Sequence, residues 1–268
     1  MIPQKRQAPS VPISASEIVE QVHAAFDLGI TMVHVHARQP NGFPSSKAED
    51  YEPIIEGIRE HCPGLVICAS LSGRNVTDPA ARAEVLSLQP DMASLTLSSL
   101  NFVQSASVNS PETIMELARR IEAAGAKPEL EVFDTGMVNY LGYLIRKGLV
   151  QAPFYVNVLL GNIAGAQLSA AHLAAMERDL PDGAHIALAG LGQYQLDAHL
   201  VAMGLGWGVR VGLEDNIHWD RERKQVTTNI ALLKRIHDLA GVAGRDIMSP
   251  EAFGALGFYN HQRHAARA

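Results

Sequence analysis

A rhythm of short apolar strands and longer helices runs through the chain, and it constrains the fold more than any single residue does. Seven runs rich in β-branched residues read as strands: Thr31–His36, Leu65–Ser70, Met92–Leu97, Glu129–Phe133, Tyr155–Leu160, Ile186–Ala189 and Gly208–Leu213. Helical stretches separate them. Ser14-Ala15-Ser16-Glu17 opens the first as a capping box, and Gly29 closes it. Others cover about Asp50 to His61, Pro79 to Leu88, Pro111 to Gly125, the stretch before Gly148, Ala170–Asp179, Tyr194 to Met203 and Thr228 to Leu239. Strands alternating with helices through short connections form a parallel sheet covered by helices. So many units favour a closed barrel over an open doubly wound sheet. The expectation is one α/β domain over residues 1–268, a (β/α)8 TIM-type barrel. Its first strand is missing, because the chain opens in a loop that feeds a helix and the strand count stops at seven.

Composition agrees with a large core, at 268 residues and 47% hydrophobic. The formal charge is -6 with acids and bases interspersed, so no basic stripe points to nucleic acid. Cys62 and Cys68 are too few for a disulfide framework, and Cys68 reads as a small buried hydrophobe. No apolar run approaches the roughly 20 residues of a membrane span, and the N-terminus lacks the apolar segment of a signal peptide. A cytoplasmic protein is expected.

Chemistry concentrates at strand ends. In Val33-His34-Val35-His36-Ala37-Arg38 the period of two puts His34, His36 and Arg38 on one face. Two adjacent imidazoles suit a divalent metal; a polar strand edge or a pair of hydrogen-bonded core histidines would show the same spacing. The last strand ends in Arg210-Val211-Gly212-Leu213-Glu214-Asp215-Asn216, which offers two adjacent carboxylates. Two histidines and one carboxylate, with positions left for substrate, make a common catalytic metal set. Ser70, Ser94 and Glu131 also fall at strand ends, the face where barrel enzymes build their sites. Gly190-Leu191-Gly192-Gln193 lacks the third glycine of a dinucleotide fingerprint. At a strand end it could still bring backbone N–H groups to a phosphate.

These segments, with the loop Asn41-Gly42-Phe43-Pro44-Ser45, the run Pro128-Glu129-Leu130-Glu131-Val132-Phe133 and Ser249-Pro250-Glu251-Ala252, resemble the β-keto acid cleavage enzyme family nearly end to end. The resemblance implies a (β/α)8 barrel with one zinc, usually a homotetramer. Such enzymes take a β-keto acid and acetyl-CoA and release acetoacetate and a new acyl-CoA. It implies His34, His36 and Glu214 as zinc ligands, and Asp215 as the base that takes the proton between the two carbonyls, held by Arg210. Ser70, Ser94, Thr96 and Glu131 are implied at the substrate. Gly190, Gly192 and Gln193 are implied near the coenzyme A phosphates. In relatives a short apolar strand precedes the segment matching Met1-Ile2-Pro3, so a late start or a shortened chain is expected here. A glutamate that binds the substrate amine in the aminohexanoate enzyme falls on Ile2, which favours a neutral or apolar β-keto acid. The alternatives are a zinc-dependent aldolase or hydrolase without coenzyme A, and a non-catalytic metal-binding barrel.

Overall fold

The computed structural model describes residues 3–74 and 76–265. Seven parallel strands form one sheet in strict chain order: β1 (Met32–Val35), β2 (Val66–Ala69), β3 (Met92–Thr96), β4 (Lys127–Val132), β5 (Tyr155–Leu160), β6 (His185–Gly190) and β7 (Gly208–Val209). Each pairs with the next, and among the described residues nothing pairs with the outer edge of β1 or β7. Each of the seven strands overlaps a run read from the sequence, with ends that differ by one or more residues in most of them. The sheet is therefore a (β/α)8-type barrel that lacks one strand.

The eight main helices follow the same order: α1 (Ala15–Leu28), α2 (Ala48–His61), α3 (Pro79–Arg82), α4 (Pro111–Ala123), α5 (Thr135–Arg146), α6 (Ala170–Asp179), α7 (Gln195–Leu205) and α8 (Asn229–Val242). Their starts are chemically marked. Ser14 caps α1 in a complete capping box, and Ser110, Asp134, Ser169 and Thr228 each accept a hydrogen bond from a first-turn N–H. The stretch read as one helix over Pro79–Leu88 is two pieces, α3 and a 3-10 turn at Glu84–Leu88.

Strand alternation sorts side chains into two cores. Val35, Ile67, Leu95, Leu130 and Val158 pack with helix residues such as Ile54, Ile58, Leu117 and Leu141. Val66, Cys68 and Met92 belong to a second cluster with Phe253 and Phe258. Those two rings stack at 4.4 Å and meet Tyr155 edge-on. They come from Pro250–Phe253 and the π-helical turn Gly254–Phe258, elements the sequence reading did not place.

The last strand is shorter than its sequence run. β7 ends at Val209, although Arg210 N–H still donates to Leu188 O at 3.1 Å. Gly212 O then accepts from Asp215 N and Asn216 N, so Glu214 and Asp215 sit on a turn beyond the strand. A strand with one neighbour has half the ladder to keep it extended. Helix α7 secures this edge. His199 is fully buried, and its Nε2–H donates to Arg210 O at 2.8 Å.

A cavity of about 700 Å³ opens where an eighth strand would lie. Its walls include Met32 and Val33 of β1, Gly208 and Val209 of β7, Val22 of α1 and Ile236 of α8. Two facing edges with unpaired backbone groups and an apolar slot between them match an extended apolar segment. An extension upstream of Met1 that supplies a short apolar strand should raise the melting temperature, by on the order of 5–10 °C if it adds a few kcal/mol. Equal melting temperatures for the two lengths would contradict this.

Burial lowers the pKa of His199 to about 4, against 6.5 for the free side chain. The unfolded chain thus binds a proton below pH 6.5 that the folded chain refuses until about pH 4. Stability from this group is complete above pH 6.5 and is lost as pH falls toward 4, by about 3 kcal/mol at most. The stability difference between wild type and His199→Gln should shrink across that window in denaturant titrations. A constant difference from pH 7 to pH 4 would remove His199 as its source.

Candidate active site

The inward faces of β1 and β4 meet at a carboxylate–imidazole pair. His34 Nδ1 lies 2.5 Å from Glu129 Oε2. Glu129 is almost fully buried, and Asn157 Nδ2 donates to its Oε1 at 2.9 Å. Cys68 Sγ lies 3.2 Å from Glu129 Oε2, so this buried thiol is a polar neighbour as well as core filling. Burial pushes the Glu129 pKa up, but the charge and hydrogen bond of His34 with the charge of Arg210 outweigh it and hold the pKa near 2. Burial lowers the His34 pKa, and the Glu129 and Glu214 charges overcome that and raise it. With Nδ1 committed to a carboxylate, His34 turns Nε2 toward the cavity.

That nitrogen lies 3.2 Å from His36 Nε2, which lies 3.1 Å from Glu214 Oε1. Ligand atoms of the three residues all fall within 4.8 Å of one another. Ligands at 2.0–2.1 Å around a tetrahedral ion sit roughly 3.3 Å apart. The spacing and the mixed nitrogen–oxygen donor set therefore fit a zinc-type ion. A carboxylate behind one imidazole is the usual support for such a ligand. The set straddles the open gap, with His34 in β1, His36 directly after it and the carboxylate after β7.

Arg210 organises the acids. Its Nε donates to Asp215 Oδ2 at 3.2 Å, its Nη1 to Glu131 Oε1 at 3.1 Å, and its Nη2 to Glu214 Oε2 at 2.8 Å. Glu129 Oε1 lies 3.5 Å from Nη1. Burial and the Glu214 charge raise the Asp215 pKa, against the lowering by Arg210. A buried carboxylate beside the three-residue cluster, its pKa raised above the ordinary value, can take a proton from an acidic carbon.

The hydroxyls surround this centre. Ser70 lines the main cavity, and its backbone N–H donates to Val35 O. Ser94 Oγ accepts from Leu71 N at 3.0 Å, which leaves its O–H to donate elsewhere. Thr96 donates to Glu131 Oε2 at 2.6 Å and fixes that side chain. The Gly190–Gln193 turn stands apart, lining the smaller of the two cavities only through Leu191. A Cβ on Gly190 would lie 2.2 Å from Tyr194 O, and the Gly192 N–H already donates to Asp215 O at 2.8 Å. Gln193 is exposed.

Two participants escaped the sequence reading. Glu129 shares the inward face with Glu131 through the Glu-x-Glu spacing of β4, and that alternation was the signal. Arg74, in the loop after β2, donates from Nη2 to Glu214 Oε1 at 3.3 Å. It carries no periodicity that would single it out. No described helix is long and apolar enough to cross a membrane.

A family profile described as beta-keto acid cleavage enzyme matches residues 1–256. The chain is 33% identical over 248 residues to a 3-keto-5-aminohexanoate cleavage enzyme of Fusobacterium nucleatum, covering 92% of this chain and 90% of that protein. It is 34% identical over 260 residues to a 3-oxoadipate:acetyl-CoA acetyltransferase of Cupriavidus necator, covering 95% and 90%. Among solved structures, the apo form of ObcA superposes with a TM-score of 0.79 at 19% identity, covering 94% of this chain and 66% of that longer one. The barrel architecture is shared with that protein. From the profile match and the relatives of 30% identity and above, the chain belongs to the β-keto acid cleavage enzyme family, enzymes that cleave a carbon–carbon bond and transfer to coenzyme A.

Proposed function

We propose that this protein converts a β-keto acid and acetyl-CoA into acetoacetate and the acyl-CoA of the keto acid's remaining acyl group. The carrying observation is the convergence of His34, His36 and Glu214 beside the buried Asp215–Arg210 pair in one open cavity. His34, His36 and Glu214 hold zinc in this reading. A zinc ion held there would act as a Lewis acid that stabilises negative charge on the substrate's oxygens.

The chain's own groups supply the rest. Asp215 takes the proton from the carbon between the two carbonyls. Arg210 keeps its carboxylate oriented, with Oδ2 at 3.2 Å from Nε. The carbanion adds to the acetyl-CoA thioester and expels the coenzyme A thiolate. The thiolate then attacks the keto carbon, the bond from that carbon to the deprotonated one breaks, and a proton returns to the released acetoacetate. Ser70 and Ser94 offer hydroxyls to the substrate oxygens, and Thr96 holds Glu131 against Arg210. Gly190 and Gly192 shape the turn that presents Gln193 to the coenzyme A phosphates. A homotetramer in the cytoplasm is the assembly and location that go with this reading.

In this reading the substrate is a neutral or apolar β-keto acid. Ile2, which suggested that preference, lies outside the described residues. The described cavity wall adds Arg38 and Arg74, whose charges oppose an ammonium group.

Metal content and turnover test the assignment separately. His34→Ala and His36→Ala should lose zinc by elemental analysis, and Glu129→Gln should bind it about 10–100-fold more weakly. Full retention in both histidine variants would overturn the ligand set. Asp215→Asn should keep zinc and lose turnover, because the amide cannot accept the proton; a near-normal kcat removes Asp215 as base. With a panel of β-keto acids, product formation should require acetyl-CoA, and 3-ketohexanoate should outperform 3-keto-5-aminohexanoate. Cleavage without coenzyme A would indicate an aldolase or hydrolase instead.

A further inference from the structure

We propose that Cys68 is a positioning residue: its thiol fixes the Glu129 carboxylate and, through it, the His34 imidazole. The inference rests on the reading of His34 as a zinc ligand and extends it to a residue outside the ligand set. β1 and β2 pair with His34 opposite Cys68. Cys68 is fully buried, and its S–H donates to Glu129 Oε2 at 3.2 Å. The same oxygen meets His34 Nδ1 at 2.5 Å. The other oxygen, Oε1, accepts from Asn157 Nδ2 at 2.9 Å and faces Arg210 Nη1 at 3.5 Å. Each oxygen thus has two polar neighbours, which fills the roughly four lone-pair sites of a carboxylate. Asn157 Oδ1 has no hydrogen-bond partner among the described residues, so that amide is committed to Glu129.

Ligand atoms of His34, Cys68 and Glu129 lie within 4.8 Å of one another, so the three also resemble a metal set. Their spacing opposes that role. Two ligands of a tetrahedral ion stand roughly 3.3 Å apart. The 2.5 Å between Nδ1 and Oε2 leaves room for a proton alone. The group is therefore a hydrogen-bond cluster behind the ligand, and a carboxylate that turned away would release Nδ1. His34 could then take the tautomer with its proton on Nε2, which does not bind a metal. The residue type fits the task. Cys68 also packs with Val66, Met92, Phe253 and Phe258. Its position asks for an apolar filler on one side and a donor to a carboxylate on the other. Valine meets the first need and serine the second; a thiol meets both.

The test measures zinc affinity by competition with a chelator of known affinity, under reducing conditions. Wild type is compared with Cys68→Val and Cys68→Ser, each also in a Glu129→Ala background. Cys68→Val should bind zinc about 3–10-fold more weakly, the worth of one hydrogen bond. Cys68→Ser should stay within about twofold of wild type, because the hydroxyl keeps a donor. A packing role alone would rank the two the other way, valine above serine. In the Glu129→Ala background the Cys68→Val effect should vanish, because the thiol acts through that carboxylate. If the valine variant does not fold, Cys68→Ala takes its place in the same ranking. Unchanged affinity in Cys68→Val overturns the proposal. So does an equal loss in Cys68→Ser, or a Cys68→Val loss that persists without Glu129. If wild type binds no zinc, the ligand reading fails, and the metal-free protein decides on Cys68. The His34 Nδ1 proton signal, assigned by its absence in His34→Ala, should then exchange with water faster in Cys68→Val and at the wild-type rate in Cys68→Ser. Equal exchange in all three proteins refutes the positioning role.

Discussion

One guanidinium holds this site together. Arg210 is surrounded by Asp215, Glu214, Glu131 and Glu129, all within 3.5 Å of its nitrogens. Four carboxylates gathered in a buried pocket would repel one another, and each would tend to neutralise itself by taking a proton. A cation among them lets several stay ionised in fixed positions. The Arg210 pKa accordingly stands well above its ordinary value: burial opposes this, and the Asp215 and Glu214 charges dominate. The arginine also ties β4 to the turn after β7. The His199 bond to its carbonyl sets the backbone from which the guanidinium reaches.

The division of labour among the acids follows from what each one faces. Glu129 is set against His34 with Asn157 behind it, and its pKa is near 2. It serves as a permanent anion that orients an imidazole. Glu131 is raised by burial and by its Glu129 neighbour, and it accepts from Thr96 and Arg210. Asp215 is likewise raised and opens onto both cavities. Glu129 is thereby pushed apart in basicity from Glu131 and Asp215 by environment alone, which is how a site of like groups acquires distinct roles.

The strands were legible because their signal is local: β-branched runs of the right length with glycine and proline between them. The inward face was legible at His34 and His36, where alternation alone places both. Alternation applied equally to Glu129 and Glu131, yet only Glu131 stood out, because which of two inward carboxylates meets an imidazole depends on strand register: Ser94 opposite Glu129 and Thr96 opposite Glu131. The Gly190–Gln193 turn shows the limit of a glycine motif. Gly190 is required there by the Tyr194 carbonyl packed against it, a tertiary fact that no spacing encodes. Phe253 and Phe258 were invisible for a related reason, since a ring that packs on Val66, Cys68 and Met92 looks like any surface-helix aromatic until the strands are assembled beside it.

The open edge of the sheet gives the ligand set a structural consequence. His34 belongs to β1, His36 follows it directly, and Glu214 follows β7, the two strands that flank the gap. No backbone ladder joins these strands among the described residues. The bonds from His36 to Glu214, and from Arg210 across to Glu129 and Glu131, are polar links that span or approach the unclosed seam. In a closed barrel the ladder would fix the distance between the histidines and the carboxylate, and the ligand set would inherit that precision. Here the dependence runs partly the other way: any species that binds the three ligand atoms together also draws the two free edges together. Occupancy at that point and order along the seam are therefore thermodynamically linked, each favouring the other by the same free energy.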